Sequence, residues 1–90
     1  MDREIQVQYS SNAIKFIKKQ EAKQKLRLRN AIEGLKDRPM RGDIKLLEGY
    51  KDGRYRLRVG TFRVIFKILE SGIIEIVYIM DIGNRGDIYK

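Results

Sequence analysis

From residue 5 to residue 9 the sequence IQVQY puts Ile5, Val7 and Tyr9 on one parity and glutamines on the other, the pattern of a short half-buried strand. Ser10 and Ser11 follow with hydroxyls suited to capping a helix, and Ala13, Ile14 and Ile17 form the apolar side of a first helix running to about Lys19. Leu28, Ala31, Ile32 and Leu35 fall at i, i+3, i+4 and i+7, the stripe of a second helix, with Gln20 to Lys25 as the joint. This helix is expected to close at Arg38-Pro39, because proline disfavours a helical conformation in the residue before it.

Beyond Pro39 the apolar spacing becomes two. A short strand is expected around Lys45 to Leu47, then a hairpin over residues 54 to 69, then a turn at Ser71-Gly72 leading into IIEIVYIM. Gly60-Thr61 fits a two-residue type II′ loop, which sets Val59 against Phe62 and Arg58 against Arg63. A three-residue turn at 70 to 72 sets Lys67 against Glu75, Phe66 against Ile76 and Val64 against Tyr78, pairing opposite charges and grouping apolar residues. Tyr55, Leu57, Val59, Phe62, Val64, Phe66, Ile76 and Tyr78 then form the core face of the sheet. The expected fold class is α+β: an N-terminal strand, then a two-helix hairpin packed on one face of a mainly antiparallel sheet of about four to five strands. No linker or change of composition interrupts residues 1–90, which read as a single domain.

The opposite face of the hairpin RYRLRVGTFRVIFK carries Arg54, Arg56, Arg58, Arg63 and Lys67, with Ile65 as its apolar member. Like charges directly across an antiparallel pair are destabilising, so the opposed Arg58 and Arg63 point to an anionic ligand. The competing reading is a solvated basic face that discourages edge-to-edge aggregation. A second basic stretch, KFIKKQEAKQKLRLR at 15 to 29, reads better as a solvated helix surface, with a secondary role on a nucleic-acid backbone as the alternative. With Lys+Arg 20 against Asp+Glu 12, a net charge of +8 and a pI near 9.9, the domain is a candidate for nucleic acid or acidic partners.

The chain has no histidine and no cysteine. That excludes Ser-His-Asp and Cys-His catalysis, disulfides and imidazole or thiolate metal ligation, and the scattered acids show no metal-binding spacing. No cofactor motif is present, and no segment approaches the apolar length of a membrane span, so a cytoplasmic protein without metal, cofactor or membrane partner is expected. Arg-Gly-Asp-Ile occurs at 41 to 44 and at 85 to 88, and glycine-containing turns explain both copies. An enzyme built from Arg, Lys, Tyr and an occasional carboxylate can act on RNA, whose 2′-hydroxyl is an internal nucleophile. Such cleavage needs a base, cations for the pentacoordinate phosphate and a donor to the leaving oxygen. Nearby positive charge lowers a tyrosine's pKa from its usual value of about 10 toward use as that base.

The run YRLRVGTFRVIFKI, followed by a strand and then IGNRGDIY, resembles the RelE/ParE superfamily of bacterial toxins from type II toxin-antitoxin pairs. The resemblance covers nearly the whole chain: the initial strand, two helices ending near a proline, LLEGYKDGRYRLRVG, and a closing Gly-x-Arg with a tyrosine nearby. It is more similar to the RelE branch, which implies a ribosome-dependent, metal-independent endoribonuclease cleaving mRNA in the ribosomal A site. By this resemblance Arg63 stabilises the phosphorane, Arg85 serves the leaving oxygen, Tyr89 takes the 2′-OH proton, and Arg56 and Arg58 position the backbone and lower the tyrosine's pKa. Arg54 and Lys67, which alternation alone places on the same hairpin face, are expected to join them in RNA binding. Many relatives have histidine where this chain has Asn84. The resemblance also implies a cognate antitoxin, usually an acidic helical segment that covers or distorts the basic face, besides the ribosome and mRNA. A ParE-like toxin that inhibits DNA gyrase and a non-catalytic basic RNA-binding module are the alternatives.

Overall fold

The computed structural model describes residues 4–84. Along the chain lie β1 (Glu4–Tyr9), α1 (Ser11–Lys18), α2 (Ala22–Glu33) with a 3-10 extension (Gly34–Lys36), β2 (Asp43–Leu46), β3 (Tyr55–Val59), β4 (Phe62–Ser71) and β5 (Ile74–Asn84). The strands form one sheet in the order β1-β5-β4-β3-β2. β1 runs parallel to β5, and the other neighbours are antiparallel. The α+β layout expected from the periodicity is therefore present, with the mainly antiparallel sheet of five strands.

Ser10 starts α1 and ties it to the sheet. Its hydroxyl accepts a hydrogen bond from the Ala13 backbone N–H at 3.1 Å and donates one to the Met80 carbonyl at 2.7 Å, satisfying an orphan helix donor while fixing the helix against β5. On α2 the expected stripe delivers Leu28 and Ile32, with Leu35 from the 3-10 extension, all fully buried. They join Ala13, Leu57, Val64, Phe66, Val77 and Ile79 in a single core on one face of the sheet. Phe66 stacks on Tyr55 at 5.4 Å between ring centroids, and Phe16 of α1 meets Phe62 edge-on at 5.7 Å. Truncating fully buried Phe66 to alanine would cost about 3–5 kcal/mol. No helix among the described residues is long and apolar enough to cross a membrane.

The β3–β4 hairpin has the expected register, with Val59 opposite Phe62 and Arg58 opposite Arg63, and Gly60 takes the positive φ of 60° that its turn requires. The next hairpin differs from expectation. Ser71 pairs with Ile74, so the turn has two residues, Gly72 and Ile73, and a bulge between Ile65 and Phe66 shifts the register further along. Lys67 faces Tyr78, Phe66 faces Ile79 and Val64 faces Ile82. Val77, Ile79 and Ile82 enter the core. Ile76 and Tyr78, expected there, instead lie across from Leu69 and Lys67 on the other face. Glu75 turns to the helix side, where its carboxylate meets Arg38 rather than Lys67.

Candidate nucleic-acid interface

Both helices pack on one face of the sheet, and strand alternation sends Arg56, Arg58, Arg63 and Lys67 to the other. Arg56 is 5% exposed and Arg63 9%, so these cations are built into the protein rather than spread over its surface. Ile65, in register with Arg56 on β3 and Asp81 on β5, is itself 5% exposed and lends the guanidinium groups an apolar flank.

The cationic face divides into two clusters. The first surrounds a cleft of about 360 Å³ lined by Arg56, Arg58, Arg63, Lys45, Glu48 and the leucines Leu46 and Leu47. Asp43 of β2 lies directly across from Arg58. One of its oxygens is 3.6 Å from Arg56 Nη2 and the other 3.8 Å from Arg58 Nη1. Arg56 Nη1 and Arg58 Nε are buried and have no hydrogen-bond partner among the described residues. Burying a charged donor without an acceptor is costly, and an anion in the cleft would supply the acceptor.

The second cluster lies at the other end of the hairpin. Arg54 Nε donates to both oxygens of Asp52 at 3.1 and 3.0 Å, and Lys67 Nζ lies 3.9 Å from the same carboxylate. The Arg54 guanidinium sits over the Tyr50 ring, 4.4 Å from its centroid. Of the cations expected to bind one ligand, the structure thus gathers Arg56, Arg58 and Arg63 around the cleft and holds Arg54 and Lys67 in a separate cluster. Arg85 and Tyr89 lie outside the described residues.

Sequence reading missed the carboxylates of this face. Asp43 and Lys45 alternate as the two cleft-side positions of β2, a signal present in the chain but usable only once the pairing of β2 with β3 is known. Glu48, Tyr50 and Asp52 come from the loop between β2 and β3, where no strand alternation assigns them a face. The basic stretch at 15 to 29 is what its composition suggested: Lys15, Lys18, Lys19, Lys23, Lys25, Arg27 and Arg29 are all exposed.

A larger groove of about 900 Å³ runs between β1 and the helices, with Ile14 and Leu26 on its apolar surface and Lys18, Lys25 and Arg29 along it. Tyr9 lies in this groove. Burial raises its hydroxyl pKa, the Glu33 carboxylate raises it further, and Arg29 opposes the shift.

A family model described as the ParE toxin of a type II toxin-antitoxin system, parDE, matches residues 6–89. Among solved structures, the archaeal RelE-RelB complex from Pyrococcus horikoshii OT3 superposes with a TM-score of 0.70 at 22% identity, covering 97% of this chain and 99% of that one. The RelB-RelE antitoxin-toxin complex from Methanococcus jannaschii gives a TM-score of 0.65 at 25% identity, covering 91% and 94% of the two chains. The intact E. coli RelBE complex gives 0.58 at 14% identity, covering 87% and 93%. Comparison with curated proteins gives no match. Because the family model spans all but the ends of the chain, the protein belongs to the RelE/ParE superfamily of toxins from type II toxin-antitoxin systems, and its fold is RelE-like.

Proposed function

We propose that this toxin is an endoribonuclease that cleaves mRNA in the ribosomal A site without a metal ion. The observation that carries the reading is the cleft in which the buried Arg56 guanidinium, with an unpartnered Nη1, stands beside Arg58 and Arg63. Guanidinium groups match phosphate oxygens in planar, charge-assisted pairs, and several of them around one small cleft suit a charge that grows during reaction.

In this reading Arg56 and Arg58 hold the RNA backbone so that the 2′-oxygen attacks the adjacent phosphorus. The O2′–P bond forms, the P–O5′ bond breaks, and the products end in a 2′,3′-cyclic phosphate and a 5′-hydroxyl. Arg63 stabilises the phosphorane, and Arg85 serves the departing 5′-oxygen. Two groups compete to take the 2′-OH proton. Tyr89 has that role by family resemblance, while Glu48 is the carboxylate lining the cleft and has the chemistry for it. Loss of cleavage in Glu48→Gln with retention in Tyr89→Phe would assign the base to the carboxylate, and the converse to the tyrosine.

The partner is a cognate antitoxin, a reading supported by the solved relatives, which are toxin-antitoxin complexes. Carboxylates of such a partner would compete with RNA phosphate for the cleft.

Primer extension on mRNA in a translating extract tests the activity. The wild-type chain is expected to produce discrete cuts, and an Arg63→Ala/Tyr89→Phe double variant to lose them. Full-strength cleavage by that variant would overturn the assigned roles. A ParE-like gyrase inhibitor is the second reading, favoured by the description of the matching family model. Inhibition of DNA supercoiling with intact mRNA would establish it instead.

A further inference from the structure

We infer that Tyr50, held by Arg54 and Asp52, is a stacking platform for an unpaired nucleobase of the RNA strand whose phosphate occupies the neighbouring cleft. The inference rests on the RNA reading above and adds a base-binding subsite to it.

Three observations carry it. First, Arg54 and Lys67 share the carboxylate of Asp52, so one of their two positive charges is balanced within the protein. The hydrogen bonds from Arg54 Nε to both Asp52 oxygens commit that guanidinium to the protein and fix its plane. Second, that fixed plane covers one face of the Tyr50 ring at 4.4 Å. The pairing orients the ring, yet Tyr50 keeps 51% of its surface exposed. Third, Tyr50 belongs to the same loop as Leu47 and Glu48, which line the cleft, and the loop is clamped at its base by the Leu47 N–H donating to the Arg54 carbonyl at 2.9 Å. A half-exposed aromatic ring on the loop that also lines a cationic cleft is a combination by which proteins hold single-stranded nucleic acid: cations follow the backbone and bases stack on the ring. Arginine behind the ring adds a cation–π contribution.

The same contacts serve a simpler purpose if Tyr50 only stiffens the loop, and the test separates the two roles. The full chain is titrated at low salt into a fluorescein-labelled 2′-O-methyl hexanucleotide, which lacks a 2′ nucleophile, and into the same backbone with every base removed, both followed by anisotropy. Tyr50→Ala is expected to weaken binding of the hexanucleotide about tenfold and to leave binding of the abasic strand unchanged, while Tyr50→Phe retains the wild-type affinity. Arg56→Met is expected to weaken both ligands. Equal hexanucleotide affinity for Tyr50→Ala and wild type would overturn the platform while leaving the phosphate cleft intact. Equal weakening of both ligands would also overturn it, by showing that the ring only shapes the loop. If Arg56→Met leaves both affinities unchanged while Tyr50→Ala still shows a base-dependent loss, the platform stands and the cleft is wrong. Absence of binding to either strand by the wild type would remove both.

Discussion

Arg58 faces Arg63 across the β3–β4 pair, and on its other flank it faces Asp43 of β2. The charge conflict between two opposed arginines is thus partly answered inside the protein, by a carboxylate that also lies 3.6 Å from Arg56. In the proposed RNA reading, Asp43 is an internal competitor of phosphate for Arg56 and Arg58.

Neutralising Asp43 is therefore expected to strengthen RNA binding. Asp43→Asn removes the internal competitor, and its anisotropy titration against a short RNA is predicted to shift to severalfold tighter binding. The cost in stability should be about 1–3 kcal/mol, because the carboxylate, itself more than half in solvent, is an ion-pair partner of the buried Arg56 guanidinium. Weaker binding by Asp43→Asn would instead make the carboxylate a group that positions Arg56.

Arg56 is predicted to trade stability for function. Arg56 is buried with Nη1 unpartnered, and its ion-pair partner Asp43 is more than half in solvent, so Arg56→Met removes a desolvated charge without leaving another one buried and unpaired, and thermal denaturation should show a Tm equal to or above that of the wild type. Cleavage should fall by about tenfold or more as a charge-assisted phosphate contact is lost. A variant that unfolds readily would mean that Arg56 is needed for the fold.

The β4–β5 register has its own test. Arg38 meets Glu75, while Lys67 lies on the opposite face near Asp52. A double-mutant cycle on Arg38 and Glu75 should return a coupling of up to about 1 kcal/mol, the range for partly exposed pairs. The cycle on Lys67 and Glu75 should return none. Coupling in the second cycle would restore the register expected from charge pairing.

Tyr9 predicts how the fold responds to alkali. Its pKa is raised by burial first and by Glu33 second, so the folded state holds this proton more tightly than the unfolded one. The contribution is fully present below the ordinary tyrosine value of about 10 and is lost as pH rises through the higher folded value. Comparing wild type with Tyr9→Phe by chemical denaturation from pH 9 to pH 11 should show the steeper loss of stability in the wild type.

The strand and helix order was legible because each element up to β4 has one apolar side. The hairpin turn at Gly60-Thr61 was equally clear, since a glycine-led pair between alternating runs leaves little choice of register. β5 was not. Its sequence is apolar on both parities, with Ile74, Ile76, Tyr78 and Met80 on one and Val77 and Ile79 on the other, so alternation cannot say which set is inside. Pairing Lys67 with Glu75 was electrostatically reasonable, but the Gly72-Ile73 turn and the bulge decide the register instead. The cationic half of the site followed from β3 and β4 alternation alone. Its anionic half depends on β2 pairing and on a loop, neither of which hydrophobic spacing encodes.

The parallel pairing of β1 with β5 also constrains how the molecule assembles. β1 is the first of the described strands, yet among the described residues its one sheet neighbour is the last of them, so the loop closed by that contact spans almost the whole described chain. Contacts of such long range slow folding. Until they form, the hydrogen-bonding edge of β5 stands open along IIEIVYIM, an apolar strand edge of the kind that aggregates from folding intermediates. Refolding after denaturation should accordingly lose yield as protein concentration rises, with docking of β1 as the step that ends the exposure.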